Sequence, residues 1–146
     1  MASRRDEGWR DRAATELLGK VLKTEPVEGP VLLVAYPDEA GLPLAEHVSR
    51  TRWDRMDCEA RSGSPWPPEG PFRSALLRLP RSRESLDFAL HATAAVLAPD
   101  APLFVFGAKD EGIGSSASRL EAVFDDVSSL ATGGRCRVLR GYRAAT

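Results

Sequence analysis

The sequence predicts an α/β domain: three layers around a doubly wound, mostly parallel sheet. Three observations predict it. First, Val31–Tyr36, Ser74–Leu79 and Leu103–Phe106 are short, nearly continuous apolar runs, the pattern of strands buried on both faces. Second, stretches with helical spacing alternate with them. Third, LFVFGAKDEGIGSS (Leu103–Ser116) reads as strand, glycine, charged loop and helix start. That is half of an α/β unit, and it puts the loop at the carboxyl edge of the sheet, where open α/β folds hold their ligands.

Taken in order, Ala14, Leu17, Leu18, Val21 and Leu22 fall at i, i+3, i+4, i+7 and i+8. They predict an amphipathic helix over about Trp9–Lys23. Val31–Tyr36 is the first strand, and Pro37–Gly41 a turn. Leu42–Arg50 reads as a short helix with Leu44, Ala45 and Val48 inward and Pro43 near its start. Arg52–Cys58 alternates weakly, as a marginal strand would. Ala60–Pro71 carries four prolines and two glycines and is expected to be an exposed loop.

Ser74–Leu79 is the next strand. Ser82 is placed to cap a helix with Glu84 in its first turn and Leu86, Ala89, Leu90, Thr93 and Leu97 on its buried face. Leu103–Phe106 follows, ended by Gly107, and is expected beside Val31–Tyr36 in one sheet. Ala117, Leu120, Phe124 and Val127 predict a third long helix, with Ser115, Ser116 and Ser118 as caps. Arg135–Arg143 alternates apolar and basic residues and predicts an edge strand with one wet face.

The totals exclude several classes. The 146 residues suffice for one domain and one core, 1–146. Twenty basic against 21 acidic side chains leave a net charge of -1, so bulk charge gives no reason for tight, unspecific nucleic-acid binding. Cys58 and Cys136 form no C-x-x-C pair, and no His/Cys group has zinc spacing. No apolar run is long enough to cross a membrane, and Met1–Arg12 (MASRRDEGWRDR) has neither an apolar leader core nor a transit-peptide composition. A cytoplasmic location, with no membrane partner, is the expectation.

The motifs narrow the chemistry further. Gly107-x-x-x-x-Gly112 opens like a P-loop, but Ile113 and Gly114 stand where Lys and Ser/Thr must bind phosphate and magnesium. Gly112-x-Gly114-x-x-Ala117 has the dinucleotide spacing but follows a late strand, not the first of a βαβ unit. Gly107, Gly112, Gly114 and Ser115 therefore read as structural loop residues. Tyr36–Gly41 has one glycine and a stiff Pro37 where a methyltransferase cofactor loop needs several glycines. Arg81, Arg83 and Lys109 follow two predicted strands and are candidate RNA-phosphate contacts, against the plainer reading of a solvated rim. His47 and His91 have no partner in view, and no G-x-S-x-G elbow exists. Trp53 and Trp66 read as packing residues.

Three runs carry a family resemblance: LRLPRSRESLDFAL, APLFVFGAKDEGIGSS and GGRCRVLRGYR. Together they resemble the N-terminal half of the RsmC/RlmG-type ribosomal RNA guanine-N2 methyltransferases over roughly Val31–Arg143. Pro80-Arg81 matches a Pro-Lys/Arg step after a strand. Gly107, Gly112, Ile113 and Ser115 match a later glycine signature, and Arg140–Tyr142 a basic strand with an aromatic. The resemblance implies a degenerate class I S-adenosylmethionine (SAM) methyltransferase-like, Rossmann-like domain. In that family the C-terminal half holds the SAM loop and an Asn-Pro-Pro-aromatic motif, and the N-terminal half has lost both. It implies that this chain binds no cofactor, has no catalytic residue, and works with ribosomal RNA and a catalytic methyltransferase domain in cis or in trans. Two other readings stay open: a small nucleotide or dinucleotide binder using Gly107–Ser116, and a stand-alone protein-interaction domain.

Overall fold

The computed structural model describes residues 4–36, 44–45, 48–53 and 68–144, with side chains from Gly8 onward. Helix α1 (Arg4–Thr24) leads into β1 (Val31–Val34) and β2 (Arg50–Trp53), followed by β3 (Ser74–Arg78) and α2 (Arg83–Val96). Then come β4 (Pro102–Ala108), a single 3₁₀ turn at Lys109–Glu111, α3 (Ser116–Glu121), β5 (Asp125–Gly133) and β6 (Cys136–Tyr142). The six strands form one sheet in the order β2-β1-β3-β4-β6-β5. β2, β1, β3 and β4 are mutually parallel, and β6 runs antiparallel between β4 and β5.

The apolar runs are continuous because the sheet is covered on both sides. Val31, Leu33, Leu76, Phe104, Phe106 and Val138 face α1, which buries the five residues its spacing singled out. Leu32, Val34, Leu77, Leu103, Val105 and Leu139 form the opposite core with Leu86, Leu90, Leu120 and Phe124. Each such side chain contributes roughly 1.5–3 kcal/mol by leaving water. Ser82 caps α2 as expected, its hydroxyl accepting the Ser85 amide at 3.1 Å. Trp53 is buried against Phe88, ring centroids 6.1 Å apart.

Five expectations are corrected. The runs Val31–Tyr36 and Leu103–Phe106 share the sheet, but β3 lies between them. Leu44, Ala45 and Val48 are not helical, and Arg50 already belongs to β2 (Arg50–Trp53); the rest of the expected Arg52–Cys58 strand lies outside the described residues. Gly107 does not end its strand, because β4 continues to Ala108. The third long helix is a six-residue α3, and Val127 belongs to β5. Arg135–Arg143 is not an edge: β6 is interior, and β5 takes the edge. Two register shifts in β5, at Asp125/Ser128 and Ser129/Ala131, break its alternation. Its half-buried Val127 and Leu130 then fall three residues apart, which imitates a helix.

Candidate functional site

The chain passes from β1 to β2 on one side and to β3 on the other. The crevice outside the carboxyl ends of β1 and β3 is the switch point, where ligands sit in open α/β sheets. The segment 37–43, with the turn after β1, lies outside the described residues, as do His47, Cys58 and Trp66.

Tyr36 flanks this crevice from β1. It is 2% exposed and its ring meets Phe106 at 5.5 Å. Its phenol oxygen is buried with no hydrogen bond of normal geometry among the described residues. Burial pushes its pKa up to about 12, against a smaller opposing pull from the Thr15 side chain. Arg52 reaches over from β2 and donates to the Tyr36 carbonyl at 2.7 Å.

Arg78, the last residue of β3, reaches across β4 on the α1 side, its guanidinium beside Gly107. Its residue is 6% exposed. Its two terminal nitrogens donate to the two oxygens of Glu111 at 2.8 and 2.9 Å, and Nε donates to Asp11 on α1 at 2.9 Å. Burial alone works against the guanidinium charge, but the Glu111 and Asp11 carboxylates more than offset it and hold its pKa above the usual value. Glu111 also accepts the Ala108 amide at 2.8 Å. Burial would raise its pKa, but Arg78 and that amide outweigh burial and hold it low. Next to it, Arg10 forks onto Asp110 at 2.6–3.1 Å, which lowers that carboxyl. The acids of the charged loop are thus spent on pinning α1 and the loop to the sheet edge.

The glycines are structural in two distinct ways. A Cβ on Gly107 would lie 2.9 Å from Leu79 Cβ, so β3 and β4 approach too closely there for any side chain. Gly112 has φ 92, a left-handed turn that favours glycine. Gly114 is exposed, and the Arg137 guanidinium lies beside it. Ser115 and Ser116 do not cap α3 by accepting from its amides; both hydroxyls donate back to the Gly112 carbonyl, and Ser118 donates to Ser115. Arg81, Arg83 and Lys109 are all exposed, the first two just past β3 and the last just past β4. The structure therefore brings them to neighbouring strand ends on the carboxyl edge. His91 is exposed on α2. No group of His, Cys, Asp and Glu among the described residues has the geometry of a metal site. None of the described helices is long and apolar enough to cross a membrane.

The sequence profile described as "Methyltransferase small domain N-terminal" matches residues 44–145. The chain belongs to that family. Among curated relatives of this N-terminal domain is ribosomal RNA small subunit methyltransferase C of Ectopseudomonas mendocina (strain ymp), 32% identical over 124 residues. That match covers 80% of this chain and 37% of the relative. The protein of the same description from Stutzerimonas stutzeri (strain A1501) is 46% identical over 54 residues, 37% of this chain and 16% of the relative. The chain thus spans little more than a third of the longer-matching relative. Among solved structures, the T. thermophilus 16S rRNA N2 methyltransferase RsmC, in complex with AdoMet and guanosine, aligns at a TM-score of 0.72 and 22% identity. It covers 90% of this chain and 39% of that one. The apo methyltransferase SibL aligns at 0.65 and 17%, covering 91% and 55%. The fold is that of the SAM-dependent methyltransferases, a Rossmann-like sheet with helices on both faces.

Sequence reasoning missed Arg78, Tyr36 and Asp11. Arg78 carried a signal: it is the single charge inside the apolar run Ser74–Leu79, and a charge there demands partners.

Proposed function

We propose that this domain is the non-catalytic half of a SAM-dependent ribosomal RNA guanine-N2 methyltransferase, one that positions RNA and supports the folding of a catalytic half in cis or in trans. The observation that carries this reading is the ion cluster at the carboxyl edge of the sheet. In a fold of cofactor-binding enzymes, the described residues along the carboxyl edge on the α1 side bind one another: Arg78 takes Glu111 and Asp11, and Tyr36 is buried against Phe106. With Arg78, Glu111 and Asp11 engaged with one another, these charges are not offered to a ligand, which supports a half that binds no SAM. Pro80-Arg81 follows β3 without the asparagine of an Asn-Pro-Pro motif, in keeping with a half that has no catalytic residue. SAM belongs to the partner half.

Arg81, Arg83 and Lys109 supply exposed positive charge for RNA phosphate on the same edge. The nucleotide-binding alternative has less behind it. The loop's acids are paired, its serine hydroxyls turn back onto Gly112, and the following helix has only six residues.

The test is a titration of a small-subunit ribosomal RNA fragment by the full chain at several salt concentrations. Binding that weakens steeply with salt supports the reading. The absence of RNA binding from 50 mM salt upward, roughly the low end at which phosphate contacts are strong, overturns it.

A further inference from the structure

One corner of the carboxyl edge is built in a way that the loop signature did not announce. The Lys109 amide donates to the Arg135 carbonyl at 2.8 Å, which ties the exit of β4 to the β5–β6 hairpin. That hairpin turns through Gly134 (φ 55) and Arg135 (φ 62). Two successive left-handed residues make the tight turn that normally takes Asn-Gly or Gly-Gly. Gly134 meets this demand freely. Arg135 does not, yet an exposed arginine is held there, and a strained position kept where a cheaper residue exists points to a use for its side chain.

Arg137 is two residues further on. Its neighbours Cys136 and Val138 lie in the α1 core, so Arg137 projects from the other face, and its guanidinium comes to rest beside Gly114. Its Nε is buried with no hydrogen-bond partner among the described residues. Gly114 has no side chain to shield it. The two acids of the loop before Gly114 are engaged elsewhere: Asp110 by Arg10 and Glu111 by Arg78. Arg135 adds to the field that lowers the Asp110 carboxyl, which places it close to this cluster.

We propose that Lys109, Arg135 and Arg137 form one phosphate-binding corner that takes the RNA backbone. This rests on the RNA-positioning reading above and adds two residues to it, with Arg135 retained in its strained turn for its charge.

The test compares four variants by fluorescence anisotropy with a labelled ribosomal RNA fragment, and by thermal melting. Arg135→Gly relieves the turn and removes the charge. It is expected to melt at or above the temperature of the unaltered chain and to bind RNA roughly threefold to tenfold more weakly, with the salt slope reduced by about 0.7. Arg137→Gln and Lys109→Gln should weaken binding similarly. Lys20→Gln/Lys23→Gln, on the exposed side of α1, should not. RNA binding by Arg135→Gly equal to that of the unaltered chain overturns the corner, as does an equal loss in the α1 control. Competition by polyglutamate as effective as that by RNA of equal charge also overturns it, in favour of an acidic protein. In each of these results the unaltered chain still binds RNA and the proposed function stands. If the unaltered chain binds no RNA, both fall.

Discussion

Replacing Arg78 with methionine removes a guanidinium that touches two carboxylates, from a site where its side chain is 8% exposed and that of Glu111 26%. Breaking a buried pair by removing one partner costs about 3–5 kcal/mol. Glu111 keeps some water and its Ala108 amide, so the expected loss is about 2–3 kcal/mol at pH 7. Asp11 is 44% exposed, so Asp11→Asn should cost less than about 1 kcal/mol. The pH dependence gives an independent sign. In the unaltered chain the Glu111 pKa lies below 4.5. Its stabilisation is therefore present above pH 4.5 and lost as pH falls through the lowered value. In Arg78→Met, burial acts without the guanidinium and pushes the Glu111 pKa upward. Its contribution then grows as pH falls, so the variant's deficit narrows between pH 7 and pH 4.5. Urea unfolding at both pH values measures this. A loss below about 0.5 kcal/mol at pH 7, or a deficit that widens on acidification, would refute the role given to this ion cluster.

Three further outcomes are expected. Gly107→Ala places a methyl group 2.9 Å from Leu79 Cβ, and overpacking there should cost about 1–3 kcal/mol in urea unfolding. Tyr36→Phe deletes a buried phenol whose pKa is raised to about 12. The stability Tyr36 contributes is complete below pH 10 and is lost as pH rises from 10 to 12, so the variant should resist alkali better than the unaltered chain, with no loss at pH 7 in thermal melts. Ser82→Ala removes the hydroxyl that caps α2 and should cost about 1 kcal/mol in the same unfolding assay.

β1, β3 and β4 were legible because they are buried on both faces, whereas β2, half-exposed over Arg50–Arg52, was not. Nothing competes with an apolar run such as Val31–Val34 or Leu103–Phe106 except a buried helix, and these runs are too short for one. Helix α1 was legible because five residues at helical spacing all reach the core. The antiparallel half was not. β5 is polar, irregular and half-exposed, so burial leaves it no clean period. β6 looks like an edge because it carries arginines, but long arginine stems cover apolar sheet while their heads reach partners. Arg140, for example, pairs with Glu25 and lies over the Tyr142 ring at 5.0 Å.

At the candidate site, the sequence showed a charged loop but not what its charges pair with. Asp110 and Glu111 read only as charges of a polar loop, and their partners Arg10 and Arg78 lie 100 and 33 residues away. Pairings of that range leave no local pattern. The left-handed Arg135 is equally silent in the sequence, since only backbone geometry shows that a glycine would suit its place better.

Isothermal calorimetry of the full chain with S-adenosylmethionine bears most directly on the proposal that this half of a methyltransferase binds no cofactor. No saturable heat should appear up to a ligand concentration of roughly 1 mM, a free energy of binding near -4 kcal/mol. Stoichiometric binding in the micromolar range or tighter would contradict it.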